Sequence, residues 1–298
     1  MSLSIVGCWC PLITPLNNDL SIDEQGLRQL VDYFIDQGID GLVPVGTTGE
    51  SPTLSHEEHA KVIEITLDQT AGRVPVMAGT GSNATLEAIS MTRHAEEAGA
   101  DATLQVAPYY NKPTQEGMKA HMAAVAKATK LPVVIYNIPG RTGKNIDPET
   151  IITLASEHEN IVGVKDAACD MTQTMMILEL TRGWSKPFYH LTGEDALAYA
   201  NLALGGHGAI SAVSNVIPKE MTEICRLARE GRWEEARDIH YRILDLVRIL
   251  FIEPNPVPVK EAMSMMGLPA GPLRLPLTPL NPANREKLGS ALKALGKI

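Results

Sequence analysis

Residues 38–81 read GIDGLVPVGTTGESPTLSHEEHAKVIEITLDQTAGRVPVMAGTG, two short runs of apolar and β-branched residues on either side of a helical pattern. In the helical part, Ser55 and Glu58 have the spacing of a capping box, and Gly72 follows the last periodic position. A strand, a helix and a second strand in this order predict a βαβ unit with parallel strands.

The same unit recurs along most of the chain. The strand-like runs lie at 5–14, 38–46, 74–81, 102–108, 132–139, 161–167, 188–194 and 208–215. Helical patterns separate them; in one, Asn83 is the expected N-cap and Gly99 follows the end. Eight strands, each followed by a helix, predict an α/β fold of the (β/α)8 TIM-barrel class. From about Arg232 the pattern is helical only, so we expect a barrel over 1–231 and a small C-terminal helical domain over 232–298.

Composition narrows the classes of function. The 298 residues carry a net charge of −9, and no basic run exceeds two residues, which argues against nucleic acid or anionic membrane as a partner. No apolar stretch approaches the roughly 18 residues of a membrane span, and the N-terminus lacks a signal-peptide pattern, so we expect a cytoplasmic protein. Four cysteines without a C-x-x-C pair are expected to be reduced packing residues: Cys8, Cys10, Cys169 and Cys225.

Unusual polar side chains follow several strands at the end where a barrel of this class carries its chemistry. They are Thr47 and Thr48 after the second run, Tyr109 and Tyr110 after the fourth, Tyr136 and Arg141 in and after the fifth, and Lys165 in the sixth. Each has an ordinary alternative, such as a plain turn, a surface tyrosine pair or a solvated arginine. Their arrival at the same end of the predicted barrel favours a shared site.

Lys165 is the most informative of these residues. It lies in IVGVKDA (161–167), flanked by apolar residues, where burial would lower its pKa and produce a neutral amine that can attack a carbonyl. The alternative is a lysine that extends to the rim and neutralises Asp166, Glu194 or Asp195. A dinucleotide-binding interpretation of GTGSNA (79–84) fails, because the third glycine is missing.

Four motifs in order, GTTGE, PYYNKPTQEG, YNIPGRTG and GVKDA, make this sequence resemble the dihydrodipicolinate synthase and N-acetylneuraminate lyase family of class I pyruvate aldolases. The resemblance covers essentially the whole chain, including NPVPVK (255–260). It implies a Schiff base between pyruvate and Lys165, without a metal or an organic cofactor. The arginine in YNIPGRTG implies an acidic acceptor, L-aspartate β-semialdehyde, and the product 4-hydroxy-tetrahydrodipicolinate of lysine and diaminopimelate biosynthesis.

The resemblance also implies roles for the remaining site residues. Tyr136 would be the general acid/base, linked through Thr47 to Tyr110, which reaches into the site of a neighbouring subunit. The implied substrate-binding residues are Thr48, Arg141, Gly193 and Ile210. A homotetramer built as a dimer of dimers is the implied assembly.

A second, regulatory site is implied next to the first. His56 and His59 stand one helical turn apart, where a solvated helix start is the ordinary interpretation and two ligands are too few for a metal site. In lysine-inhibited members of the family the corresponding positions line an allosteric L-lysine pocket. These positions are Ser51, Pro52, His56, His59, Asn83, Glu87 and Tyr109.

Two other functions stay open at this point. One is another pyruvate aldolase of the family that acts on a 2-keto-3-deoxy sugar acid, since TGEDA (192–196) departs from the pair of aspartates that many synthases carry there. The other is a non-catalytic barrel that senses a ligand. The complete lysine, tyrosine and threonine set favours an enzyme.

Overall fold

A computed structural model describes residues 3–298. Its parallel strands form a single eight-stranded sheet in the order β2-β1-β8-β7-β6-β5-β4-β3, with helices between successive strands, so the predicted (β/α)8 barrel is confirmed. The strands are β1 (Gly7–Cys10), β2 (Gly41–Leu42), β3 (Met77–Gly79), β4 (Ala102–Val106), β5 (Val133–Asn137), β6 (Ile161–Asp166), β7 (Tyr189–Thr192) and β8 (Gly208–Ile210).

The barrel closes between its second and third strands. A parallel bridge joins Leu42 to Val76. Backbone hydrogen bonds support it, from the amide of Leu42 to Pro75 O at 3.0 Å and from that of Gly79 to Pro44 O at 3.1 Å. Closure leaves no free sheet edge and brings the carboxyl ends of all eight strands to one rim.

Helices cover the outside of the barrel. They are α1 (Glu24–Asp36), α2 (His56–Thr70), α3 (Thr85–Ala98), α4 (Gln115–Lys127), α5 (Pro139–Thr142), α6 (Pro148–Glu157), α7 (Met171–Thr181), α8 (Ala198–Ala203), α9 (Pro218–Arg229), α10 (Trp233–Ile249), α11 (Val257–Met265) and α12 (Pro282–Ala294). The capping box of Ser55 and Glu58 at the start of α2 is confirmed, as is the left-handed Gly99 at the end of α3.

The expected N-cap role of Asn83 is wrong. Helix α3 starts one residue later than that role requires, with Ala84 at the N-cap and no side-chain cap. The hydroxyl of Ser82 accepts the Ala84 amide instead, at 3.1 Å. The Asn83 amide donates to Tyr109 O at 3.1 Å, so Asn83 joins two loops at the rim.

The hydrophobic core has an inner and an outer part. Inward-facing residues such as Trp9, Met77 and Leu191 fill the barrel. A larger cluster outside it runs from the barrel helices, at Leu27 for example, into the C-terminal helices at Leu288. Because this cluster spans the expected boundary at Arg232, the division into two domains stays a prediction.

Two further observations concern the chain as a whole. Cys8, Cys10 and Cys225 are buried as expected, but the expectation is wrong for Cys169, which is exposed in a left-handed turn (φ +59°). Within residues 3–298, no helix has the length and apolar character needed to cross a membrane.

Candidate active site

Lys165 lies at the centre of the site, near the carboxyl end of β6. The residue is 6% exposed, and its strand register places it beside Tyr136 on β5 and Leu191 on β7. Burial lowers the pKa of the ammonium to about 7, an effect that Asp195 opposes and Arg141 reinforces. A large fraction of the side chain is therefore the neutral amine near neutral pH, as a nucleophile requires.

Tyr136 covers one side of this amine. The Lys165 Nζ lies 4.1 Å from the centre of the Tyr136 ring, and the Thr47 side chain lies close enough to the Tyr136 hydroxyl to lower its pKa. Burial raises the pKa of the Tyr136 hydroxyl to about 12, against the opposing effects of Thr47 and Arg141. The phenol is therefore neutral in the resting protein and can donate a proton to a reacting oxygen.

Gly193 supports Lys165 from the neighbouring strand end. Its amide donates to Asp166 O at 2.7 Å. A β-carbon at position 193 would stand 2.9 Å from Lys165 Cε and 3.0 Å from the Ala167 β-carbon, so only glycine lets the lysine lie this close to the backbone. Ile210 ends β8 opposite Trp9 and is buried, which places its backbone at the same rim.

Asp195 is a buried carboxyl group near Lys165 that sequence reasoning did not include in the site. It is 2% exposed and accepts the Val213 amide at 3.3 Å, while its Oδ1 has no hydrogen-bond partner within residues 3–298. Burial raises its pKa to about 7. The sequence signal for Asp195 was an acidic residue at a strand end close to the predicted nucleophile. The TGEDA motif alone does not indicate whether Glu194 or Asp195 is the buried acid.

Asn255 connects two of the predicted substrate-binding residues. Its side-chain Nδ2 donates to Thr48 Oγ1 at 2.9 Å, and its backbone carbonyl oxygen accepts from Arg141 Nη2 at 3.0 Å. The Oδ1 atom of this buried side chain has no hydrogen-bond partner. The NPVPVK motif was visible in the sequence, but its contact with the barrel rim was not.

Tyr110 is the one predicted catalytic residue that the single chain does not bring to the others. It is 91% exposed, adopts a left-handed backbone (φ +70°), and does not line the cavity that contains Thr47 and Tyr136. The adjacent Tyr109 does line this cavity.

The cavity at the rim has a volume of about 360 Å³ and is lined by three predicted active-site residues and most of the predicted regulatory positions, whereas Lys165, Thr48, Gly193 and Ile210 are not part of its lining. Among its lining residues are Thr47, Tyr136, Arg141, Ser51, Pro52, His56, His59, Glu87 and Tyr109. Asn83 is not part of the lining but bonds the Tyr109 backbone.

Hydrogen bonds order the regulatory side of this cavity. His56 Nε2 lies 2.6 Å from Glu87 Oε1, and the Ser82 hydroxyl donates to the other oxygen of Glu87. The bond from Ser82 and the proximity of His56 lower the pKa of Glu87, which keeps it an anion. His59 donates to Gly79 O at 2.9 Å, and burial lowers its pKa to about 4, so it is neutral. Across residues 3–298 there is no group of three or more His, Cys, Asp or Glu side chains that could hold a metal ion.

A buried lysine of lowered pKa at the rim of a (β/α)8 barrel, beside a buried tyrosine with a threonine next to it, defines the class: a Schiff-base-forming lyase. The chain belongs to the dihydrodipicolinate synthetase family, whose model matches residues 4–295.

Individual relatives agree over nearly the full length. The 4-hydroxy-tetrahydrodipicolinate synthase of Methanococcus vannielii is 46% identical over 98% of this chain and 99% of its own. A solved structure described as the chloride-inhibited dihydrodipicolinate synthase of Acinetobacter baumannii complexed with pyruvate has a TM-score of 0.96, with 43% identity over 99% of this chain and 100% of its own. The enzyme of Cyanidioschyzon merolae, solved with lysine bound, has a TM-score of 0.94, with 39% identity over 98% and 99% of the two chains.

Proposed function

We propose that this enzyme condenses pyruvate with L-aspartate β-semialdehyde to give 4-hydroxy-tetrahydrodipicolinate, in lysine and diaminopimelate biosynthesis in the cytoplasm. The observation that carries the proposal is the buried Lys165 amine, with a pKa lowered to about 7, beside the Tyr136 ring. The pyruvate complex of the Acinetobacter baumannii relative and the name of the Methanococcus vannielii relative support the choice of substrates.

The first half of the reaction builds a carbon nucleophile. The neutral Lys165 amine adds to the ketone of pyruvate, and water leaves to give an imine whose positive charge draws electrons from the methyl group. Tyr136, as the general acid/base, donates the proton that water needs to leave. Loss of a methyl proton then gives the enamine. Thr47, next to the Tyr136 hydroxyl, relays protons between this pair and Tyr110 of a neighbouring subunit.

The second half joins the two substrates. The enamine carbon attacks the aldehyde carbon, and the new alkoxide takes a proton from the Tyr136 relay. The amino group of the acceptor then attacks the imine carbon, closes the six-membered ring and displaces Lys165 as the free amine. Lysine and tyrosine return to their starting protonation states, so one pyruvate and one semialdehyde give one cyclic product and water.

Two carboxylate-binding positions orient the substrates. Thr48 and the backbones near Gly193 and Ile210 hold the carboxylate of pyruvate next to Lys165. Arg141 in the loop after β5 binds the carboxylate of the semialdehyde, because a guanidinium can grip a carboxylate with two hydrogen bonds. A 2-keto-3-deoxy sugar acid has no second carboxylate for Arg141, which disfavours the aldolase alternative.

The site is completed by a second copy of the chain in a homotetramer built as a dimer of dimers. The support is the exposure of Tyr110 next to Tyr109 at the cavity, together with the exposed Leu86 on the neighbouring helix α3. The left-handed backbone of Tyr110 and its nearly fully exposed ring support its entry into a partner subunit.

L-Lysine binds on the regulatory side of the same cavity and inhibits the enzyme. The anionic Glu87 pairs with one ammonium group of the ligand, and Asn83 bonds its carboxylate. The Cyanidioschyzon merolae relative with lysine bound supports this assignment.

Reductive trapping tests the proposal. The protein is incubated with pyruvate and borohydride, and the adduct is located by intact mass and peptide mapping, with Lys165→Arg as the matched control. We expect one adduct per chain, on Lys165, that the control lacks; no adduct on Lys165 would overturn every aldolase function. A coupled assay of aspartate semialdehyde against a panel of 2-keto-3-deoxy acids then decides the acceptor.

A further inference from the structure

We infer that Lys260 is a positioning residue for the pyruvate site. Lys260 pairs with Glu50. From outside the barrel, this pair fixes the loop after β2, which carries Thr47 and Thr48. The inference rests on the function proposed above, and it assigns a task to the NPVPVK motif that the mechanism does not use.

Lys260, on helix α11, places its ammonium group in a buried position where all of its donors have acceptors. The residue is 2% exposed, and its Nζ donates to Glu50 Oε1 at 2.7 Å, to Pro272 O at 2.7 Å and to Thr14 O at 3.1 Å. These three bonds use all three donors of the group. Burial lowers the pKa of Lys260 and the adjacent Glu50 opposes that shift, so the carboxylate is the partner that favours the charged form.

Glu50 is also buried, and both of its carboxylate oxygens accept hydrogen bonds. It is 2% exposed, and its second carboxylate oxygen accepts the Arg274 amide at 3.2 Å. Its backbone is left-handed, with φ +55°, a conformation that non-glycine residues adopt only when their surroundings impose it. The ion pair with Lys260 is the buried contact that fixes the side chain of this strained residue.

The strained residue is directly bonded to the catalytic loop. The Glu50 amide donates to Thr47 O at 3.2 Å, and the preceding Gly49 donates to Gly46 O at 3.1 Å and accepts from the Thr14 hydroxyl at 2.7 Å. Thr14 thus contacts both the loop and Lys260. A change in the Glu50 backbone therefore shifts Thr47, which lines the same cavity as Tyr136.

The same tail segment holds the loop at a second point, through the bond from Asn255 to Thr48. Two residues five positions apart therefore fix the two adjacent threonines, one through its hydroxyl and the other through the backbone of Glu50. All eight barrel strands precede the C-terminal tail in the sequence, but the geometry of this loop depends on the tail.

A purely stabilising ion pair would make a different prediction from a positioning pair. Whichever role the pair has, loss of one partner leaves a buried, uncompensated charge and lowers stability. Loss of both partners removes that penalty. If the pair only stabilises, every variant that folds binds pyruvate normally. If it positions the loop, pyruvate binding stays impaired even where stability recovers.

The test uses Glu50→Gln, Lys260→Met and the double variant in the full-length protein. For each we measure the melting temperature and the pyruvate concentration that half-saturates borohydride trapping on Lys165. We expect Lys260→Met to have the lowest melting temperature and the double variant to regain part of it. In all three, the half-saturating pyruvate concentration should rise about tenfold or more, because small displacements of positioning groups are costly.

The matched control is Lys297→Met, since Lys297 also pairs with a glutamate, Glu220 at 2.6 Å, but neither residue lines the cavity at the rim. It should lower stability without changing the half-saturating concentration. Unchanged pyruvate saturation in the folded double variant or in Glu50→Gln would overturn the inference. Absence of trapping in the unsubstituted protein would instead overturn the proposed function, so the two failures are distinct.

Discussion

The backbone of Gly193 on one strand end lies against the side chain of Lys165 on the next, at a distance that excludes a β-carbon. The backbone of Gly193 therefore forms one side of the space that holds the Lys165 side chain next to the Tyr136 ring. This relationship makes the position of the amine sensitive to a single methyl group.

We expect Gly193→Ala to lower the rate of pyruvate trapping about ten- to a hundredfold, because the added methyl displaces Lys165 Cε from this space. The melting temperature should fall modestly, since the Lys165 side chain can shift but the Ala167 β-carbon, 3.0 Å from the added methyl, cannot rotate away. Gly289→Ala in helix α12, where a β-carbon meets no atom within 4 Å, is the control and should keep full activity. Equal trapping rates in the two variants would contradict the role of Gly193.

Tyr136→Phe keeps the ring beside Lys165 and removes only the hydroxyl group. Loss of a general acid/base should reduce kcat by roughly 10²- to 10⁴-fold. Steady-state kinetics with both substrates provide the measurement, and Tyr241→Phe, at an exposed position on α10, serves as the matched control. A kcat within a factor of two of the unsubstituted enzyme would rule out the proton-transfer role.

The rate of Schiff-base formation should rise with pH and level off, with a midpoint near the lowered Lys165 pKa of about 7. The neutral amine is the reactive form, so the rate is low below the midpoint. Asp195 raises this pKa, hence Asp195→Asn should move the midpoint to lower pH. Rapid trapping with cyanoborohydride across the pH range provides the curve.

The control for this titration is Asp245→Asn, a surface carboxylate paired with Arg248, which should leave the midpoint in place. The same pKa shift also makes the free energy of unfolding depend on pH. Between pH 7 and 10.5 the unfolded chain binds a proton at Lys165 that the folded chain has released, so this group makes stability rise with pH across that window. A midpoint near 10 would show that the lysine is not desolvated in solution.

Arg141→Leu should raise the KM for aspartate semialdehyde by about a hundredfold, because it removes the charge that binds the acceptor carboxylate. Trapping of pyruvate alone should remain, since Lys165 and Tyr136 are still present, although loss of the Arg141 charge removes its contribution to lowering the Lys165 pKa. Arg237→Leu on the surface of α10 is the charge-matched control. An unchanged KM for the semialdehyde would reopen the question of which acceptor this site takes.

Millimolar L-lysine should inhibit the enzyme and raise its melting temperature. Glu87→Gln should raise the half-inhibitory concentration by about tenfold or more, because it removes the anion that pairs with the ligand ammonium. Glu116→Gln, at an exposed position on α4, is the control. If lysine changes neither activity nor melting temperature in the unsubstituted protein, the regulatory site is wrong.

Sequence patterns predicted the barrel and the strand ends that carry its polar residues, because βα units repeat with a visible hydrophobic period. Lys165 and Tyr136 could be predicted as neighbours, since successive parallel strands place their ends at one rim. The contacts of Asn255 and Lys260 could not, because they come from a helical tail whose packing direction has no local signal. Asn83 failed as a cap for a related reason: a contact with the distant Tyr109 backbone outweighed its local preference.

The buried pair of Lys260 and Glu50 has a practical consequence for protein engineering. A designer who borrows this barrel as a scaffold and ends the chain near residue 231 would remove both partners of the Glu50 carboxylate, the Lys260 ammonium and the Arg274 amide. Glu50 would then have to be replaced, and the outer cluster around Leu27 resurfaced, before the shortened chain could serve as a host for new loops.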